Sequence, residues 1–176
     1  TYAITDKLNA TLGVRKSDDE SDYTIEMTTT SPGIPFVQVP GKWSEVLEFG
    51  STDPKLVLDY SFNENTMGYV SVSSGYKSGG FSFATWSESE SRGGFNEEEL
   101  DATEIGVKYK SSDNRLVVNA AYYEYDYTDQ QQQIIVVTQS GSLAGKTFNA
   151  GESEMTGFEL ETKYAITDNT QIDFNY

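Results

Sequence analysis

Glu159 and Glu161 stand two residues apart, a spacing that puts both carboxylates on one face of a strand and that a glycosidase-type acid pair could use. Nothing else in the chain supplies a pocket around them, and a polar strand face accounts for both without catalysis. Asp18, Asp19, Glu20 and Asp22 offer oxygen ligands to a hard divalent cation, but they lack the spacing of a dedicated calcium loop and read as hydrated charge. The 176 residues include no histidine and no cysteine, which removes the commonest general base, zinc ligand and thiolate nucleophile together. No catalytic set, metal site or cofactor is expected, and the chain does not read as an enzyme.

The residues best equipped to hold a ligand lie in KSGGFSFATWSESESRGGFNEEEL, where Lys77, Phe81, Phe83, Trp86 and Arg92 combine stacking rings with cations. Their plain alternative is that the rings anchor a compact surface loop. Tyr127 and Gln130 add a ring and an amide just beyond, in a polar run that also reads as strand extension. Trp43 and Phe36, set among prolines, carry the same two readings. With 12 Lys and Arg against 28 Asp and Glu the formal charge is −16, so a phosphate backbone finds no cationic surface and nucleic acid is excluded as a partner.

The elements that must position these residues announce themselves by repetition. YAITDK from Tyr2, YSFNEN from Tyr60, YKSSDN from Tyr109 and YAITDN from Tyr164 each carry a tyrosine just before a polar turn, rich in side chains that bond nearby backbone. Their flanks alternate with period two: Leu56, Leu58, Tyr60 and Phe62 oppose Val57, Asp59 and Ser61, and Leu116, Val118 and Ala120 oppose Asn119. Eight strands result, the first and last cut short. Three polar stretches, Lys16 to Asp53, Lys77 to Leu100 and Thr128 to Glu152, read as long loops.

Short turns at one end and long loops at the other are the asymmetry of membrane barrels with short periplasmic turns and long extracellular loops. Charged residues such as Asp59, Glu104, Lys108 and Glu161 fall opposite the apolar rows, so polar side chains face a wet lumen and apolar ones face lipid. No run of about 18 apolar residues marks a spanning helix, which leaves spanning strands open. The expected fold is all-β: an antiparallel, up-and-down transmembrane barrel segment. Tyr2, Tyr60, Tyr109 and Tyr164 are its expected lipid-facing girdle, with rings toward acyl chains and hydroxyls toward water. Outer-membrane lipid and lipopolysaccharide are then its surroundings.

The blocks GYVSVSSGYKSGGF (68 to 81), FNEEELDATEIGVKY (95 to 109), NAAYYEYDYTDQQ (119 to 131) and FNAGESEMTGFELETKY (148 to 164) resemble TonB-dependent outer-membrane receptors. The resemblance implies a plugged barrel of about 22 strands, importing a scarce nutrient such as a ferric siderophore, with TonB engaged through an N-terminal part. Residues 1–176 would then be a portion of the barrel domain, with the plug outside this chain and Tyr176 a point of truncation. Two readings compete: a passive porin or small outer-membrane barrel, and a soluble or surface β-module that binds a partner. An upstream plug would separate import from the first, and the need for detergent would separate it from the second.

Overall fold

A computed structural model describes residues 1–27, 41–82, 94–137 and 143–176. Its elements are β1 (Tyr2–Ala3), β2 (Leu8–Met27), β3 (Gly41–Asn63), β4 (Thr66–Lys77), β5 (Glu98–Lys110), β6 (Leu116–Thr128), β7 (Gln131–Val137), β8 (Leu143–Asn149), β9 (Ser153–Thr167) and β10 (Thr170–Asn175). Eight of them form one antiparallel sheet in the order β1-β2-β3-β4-β5-β6-β9-β10. The remaining pair, β7 and β8, is a separate hairpin between β6 and β9.

The tyrosine-flanked turns all fall at one end. In the turn between β5 and β6, Asn114 takes φ 60° and the Asp113 carboxylate accepts from the Ser111 hydroxyl and the Arg115 amide. Those two bonds hold Asp113 below the usual carboxylate range. The Arg115 side chain donates to the Ala165 and Ile166 carbonyls, tying this turn to β9.

Two of the three expected loops are corrected. The stretch from Lys16 to Asp53 is not loop throughout: β2 and β3 stay in register from Arg15 opposite Asp53 to Met27 opposite Gly41. Ladder hydrogen bonds override the low strand propensity of its Ser, Asp and Glu residues. The stretch from Thr128 to Glu152 contains β7 and β8; of Lys77 to Leu100, the first residue ends β4, the last three open β5, and residues 83–93 lie outside the described residues.

Cross-strand rows keep the two faces distinct. Leu58, Val70, Ile105, Tyr122 and Phe158 line up on one face, and Leu8, Tyr60, Gly68, Val107, Ala120 and Leu160 form the next row. This face has no cover among the described residues: Leu12 is 77% exposed and Val14 74%. On the opposite face Asn9 donates to Asp59 at 2.8 Å and Asn119 to Glu161 at 3.1 Å. The Tyr69 hydroxyl donates to Glu104, and Lys108 lies 5.4 Å from the Tyr69 ring centre. Polar side chains therefore pair across strands there, as a non-lipid face allows.

The four tyrosines are offset from one another along the rows of the sheet. The row through Tyr2 reaches β3 at Leu58, and Tyr60 lies two residues nearer the turns. The row through Tyr60 reaches β5 at Val107, two residues short of Tyr109. That through Tyr109 reaches β9 at Thr162, two short of Tyr164. For the four tyrosines to lie at one height, as the girdle reading expects, this stagger, a rise of ~3.3 Å per strand over a spacing of ~4.8 Å, requires a tilt of about 35°. Membrane barrels tilt their strands by about that much.

Candidate functional site

The polarity of the sheet inverts partway along its strands. On β6, Leu116, Val118, Ala120 and Tyr122 share the apolar face, but the next residues on that face are Glu124 and Asp126. On the other face Val117, Asn119 and Ala121 give way to Tyr123, Tyr125 and Tyr127. Neighbouring strands change at the same height: Asp126 stands between Asp101 on β5 and Glu154 on β9. On β2 the apolar row ending at Val14 continues as Lys16, Asp18, Glu20 and Asp22. From Tyr164 to Glu154 is ten residues of β9, ~33 Å along the strand. At a tilt of about 35° that projects to about 27 Å, close to the ~25 Å height of a membrane barrel's apolar band.

Beyond the inversion, rings turn inward and one part of the chain covers them. On the inner side of the β2–β3 extension, Ile25 stands opposite Trp43, Ser21 opposite Leu47 and Asp19 opposite Phe49. The segment after β4 packs onto this surface: Phe81 stacks on Tyr23 with ring centres 4.5 Å apart at 12°, and Phe81 and Trp43 are buried. A Cβ at Gly79 would collide with the Phe49 ring and the Phe95 carbonyl, so only glycine lets the segment approach. Gly80 and Phe95 exchange backbone bonds at 3.0 and 2.8 Å.

The β7–β8 hairpin clasps the other side. Asn149 Nδ2 donates to the carbonyls of Asn96 at 3.0 Å and Asp129 at 2.8 Å, and its Oδ1 accepts from the Asn96 amide at 2.8 Å. Gln131 Nε2 donates to the Ser78 and Asn96 carbonyls at 2.9 and 3.0 Å. Ser82 Oγ accepts from the Thr147 amide at 2.9 Å. The result is a small packed layer above the apolar band, built from a long hairpin, a loop and a short hairpin.

The residues singled out from sequence fall in different places. Lys77 ends β4, exposed, with Glu98 as its ladder partner. Phe81 is buried against Tyr23 and presents no ring face to a ligand in this arrangement. Phe83, Trp86 and Arg92, and also Phe36, lie outside the described residues. Tyr127 is half-buried on the inward face, in register with Leu100 and Ser153. Gln130 makes a backbone bond in each direction with the β8–β9 connection, and its Oε1 accepts from Ser153 at 3.3 Å. Tyr2, Tyr60, Tyr109 and Tyr164 are exposed on the apolar face near the turns. Glu159 and Glu161 sit on the polar wall, and Glu161 is paired with Asn119.

Sequence reasoning passed over Tyr123 and Tyr125, whose signal was the alternation in YYEYDYT. It also passed over a recess of about 380 Å³ on the polar face, bounded by Lys55, Asp59, Tyr69, Glu104, Lys108 and Tyr125. Among the described residues no group of acidic side chains is arranged to hold a metal ion.

A family model described as TonB dependent receptor-like, beta-barrel, matches residues 1–176. The "Pesticin receptor" of Yersinia pestis is 27% identical over 176 residues, 99% of this chain and 24% of that protein. The crystal structure of the ferric yersiniabactin uptake receptor FyuA from Yersinia pestis superposes with a TM-score of 0.75 at 23% identity, covering 98% of this chain and 24% of FyuA. The copper transporter OprC superposes at 0.66 and 12% identity, covering 96% of this chain and 26% of OprC. The chain thus spans about a quarter of the relatives it matches. Such receptors are transport proteins of the Gram-negative outer membrane and not enzymes. With its strand order, its stagger and a match along its whole length, the chain belongs to the TonB-dependent receptor β-barrel family.

Proposed function

We propose that the chain forms part of the barrel wall of an outer-membrane receptor that captures a ferric siderophore and imports it with energy delivered through TonB. The observation that carries this reading is the match of all 176 residues to the family's barrel, joined to an inward, ring-bearing surface at the loop end. In this reading the apolar rows face lipid, Tyr2, Tyr60, Tyr109 and Tyr164 mark the interface on the turn side, and the carboxylates at Glu124, Asp126 and Glu154 stand near the lipopolysaccharide headgroups. The polar wall faces the lumen and a plug, and the plug and the segment that engages TonB belong to parts of the protein outside this chain.

Ligand discrimination is assigned to the loop end, above all to the loop that begins at Lys77. Strand residues are held by lipid on one side and by the lumen on the other, whereas loops are free to vary and meet an external ligand first. Removing residues 83–92, which contain Phe83, Trp86 and Arg92, from the intact receptor should weaken ferric-siderophore binding by about 1 kcal/mol or more, the usual scale for one hot-spot ring. Barrel assembly should be unchanged. Uptake of radiolabelled iron by iron-starved cells at matched receptor abundance is the measurement, and undiminished uptake would contradict the assignment.

A further inference from the structure

Alternation settles which face each side chain takes, but not which residues stand opposite one another. A slip of one residue between two strands would turn every apolar row inward, whereas a slip of two keeps both faces and the pattern does not oppose it. Short turns exclude such slips for β3–β4, β5–β6 and β9–β10, because residues 64–65, 111–115 and 168–169 fix where pairing begins. The pairs β2–β3, β4–β5 and β6–β9 lack that restraint. Residues 28–40, 78–97 and 129–152 join them, and closing a connection that long costs almost the same after a shift of two at its base.

Two of these three pairs carry the same contact on the inward face. Tyr69 on β4 stands opposite Gly106 on β5, and Tyr123 on β6 stands opposite Gly157 on β9. Each ring lies across its glycine: a Cβ at Gly106 would occupy the space of the Tyr69 ring, and one at Gly157 that of the Tyr123 ring. A glycine inside a strand weakens it unless its bare backbone is used, and here it is the slot for a ring. After a slip of two residues β5 would offer Tyr69 the side chain of Glu104 or Lys108, and β9 would offer Tyr123 that of Met155 or Glu159. One register alone gives both rings a place. The two contacts meet at Glu104, which accepts from the Tyr69 hydroxyl and stands opposite Tyr123. The third pair, β2–β3, has a polar counterpart in the bond from Asn9 to Asp59. Among the described residues the short-turn pairs have no ring across an inward glycine; Phe62 covers Gly68 on the outward face, beside its turn.

We propose that Tyr69 with Gly106 and Tyr123 with Gly157 are register keys, which fix strand pairing where the loops are too long to fix it. Loops at the outer end can then change length without shifting the wall below them. The device belongs to barrel assembly and holds whatever ligand the receptor takes.

The test uses cysteine pairs in the intact receptor, freed of any native cysteine; this chain contains none. Val118→Cys with Thr162→Cys reports the native register, in which the two stand opposite. Val118→Cys with Leu160→Cys, or with Tyr164→Cys, reports a slip of two in either direction. In the native register those last pairs are diagonal and too far apart for ready disulfide formation. The cross-linked share is read by mass spectrometry of linked peptides from oxidised outer membranes. With both keys present only the first pair should cross-link. Tyr123→Ala, which removes the ring, and Gly157→Val, which closes the slot, should each raise a slipped cross-link about fivefold, the scale of one aromatic cross-strand contact. Replacing residues 129–151 by Asn-Gly, so that a two-residue turn joins Thr128 to Glu152, should abolish that rise. If Tyr123→Ala prevents assembly, the same short turn should restore it. Slipped cross-links that stay at background in Tyr123→Ala, that rise equally with the short turn in place, or an assembly defect that the turn leaves uncorrected would overturn the keys.

Discussion

Adjacent positions on β6 carry opposite obligations. Val118 lies in the row Tyr109, Val118, Thr162 and Phe174, while its neighbour Asn119 lies between Lys108 and Glu161. If the first row faces acyl chains, Val118→Arg should cost roughly 2 to 4 kcal/mol and Asn119→Arg much less, because only the former puts a guanidinium against lipid. Refolding titrations of the intact receptor into lipid vesicles would read both, and equal losses would contradict the assigned faces. Gly157 is a second single-residue case: a Cβ there would occupy the space of the Tyr123 ring. Gly157→Val should force that ring off its rotamer at a cost of about 1 to 3 kcal/mol, visible in the same titration. An unchanged midpoint would show that the ring relocates freely. The faces were legible from alternation alone, since period two assigns every second residue to one side. The inversion was not, because YYEYDYT alternates as regularly as the membrane half of the strand. Only the appearance of Glu124 and Asp126 in a row that had been apolar marks the height at which the apolar row ends.

At the scale of elements, the long β2–β3 hairpin is where sequence and structure part. Its residues are those of a loop, with Asp18, Asp19, Glu20 and Asp22 within five positions and Pro54 inside β3. Two forces make it strand: the ladder begun inside the apolar band continues upward, and the inward side chains gain apolar cover from Phe81 and its neighbours. A reading of one segment at a time misses the second force, since Phe81 lies more than fifty residues from Tyr23 in sequence. The β7–β8 hairpin escaped for a similar reason: Gln131 and Asn149 bond to the segment between β4 and β5 and to Glu98 at the start of β5, residues distant in sequence. The four short turns were legible because each is fixed by its own few residues. If the packed layer holds as described, Tyr23→Ala in the intact receptor should detach the segment around Phe81. Proteases added to whole cells should then cut within residues 78–97 several times faster, with the barrel still assembled. No change in cleavage would mean that the Asn149 and Gln131 amides hold the loop without the stacked rings. Asn149→Ala combined with Tyr23→Ala would then test those two holds together.

For the whole molecule, the sheet's edges decide what this chain can do alone. At one edge β1 contributes only Tyr2 and Ala3 to the ladder, and at the other β10 contributes six residues, while the strands between run to as many as 23. Sealing such unequal edges against each other would leave most of the β2 donors and acceptors that point away from β3 without partners, which a bilayer does not tolerate. The apolar rows make the problem worse, because Leu12, Val14, Ile105 and Phe158 are each more than half exposed with no cover among the described residues. Strands of this family are completed by other strands of the same barrel, and siderophore and copper receptors share that frame at identities of 12 to 23%. In the function proposed above, the frame sets assembly and substrate choice is left to the loop end. Produced alone and refolded into detergent, residues 1–176 should form heterogeneous oligomers, because open edges pair with whatever strands are available. The intact receptor under the same conditions should give a single compact species that resists denaturation in SDS until heated. Size exclusion with light scattering distinguishes the two. A monodisperse monomer of the isolated chain with that same heat-dependent resistance would show that eight strands close on themselves, and would favour a small independent barrel over a segment of a large one.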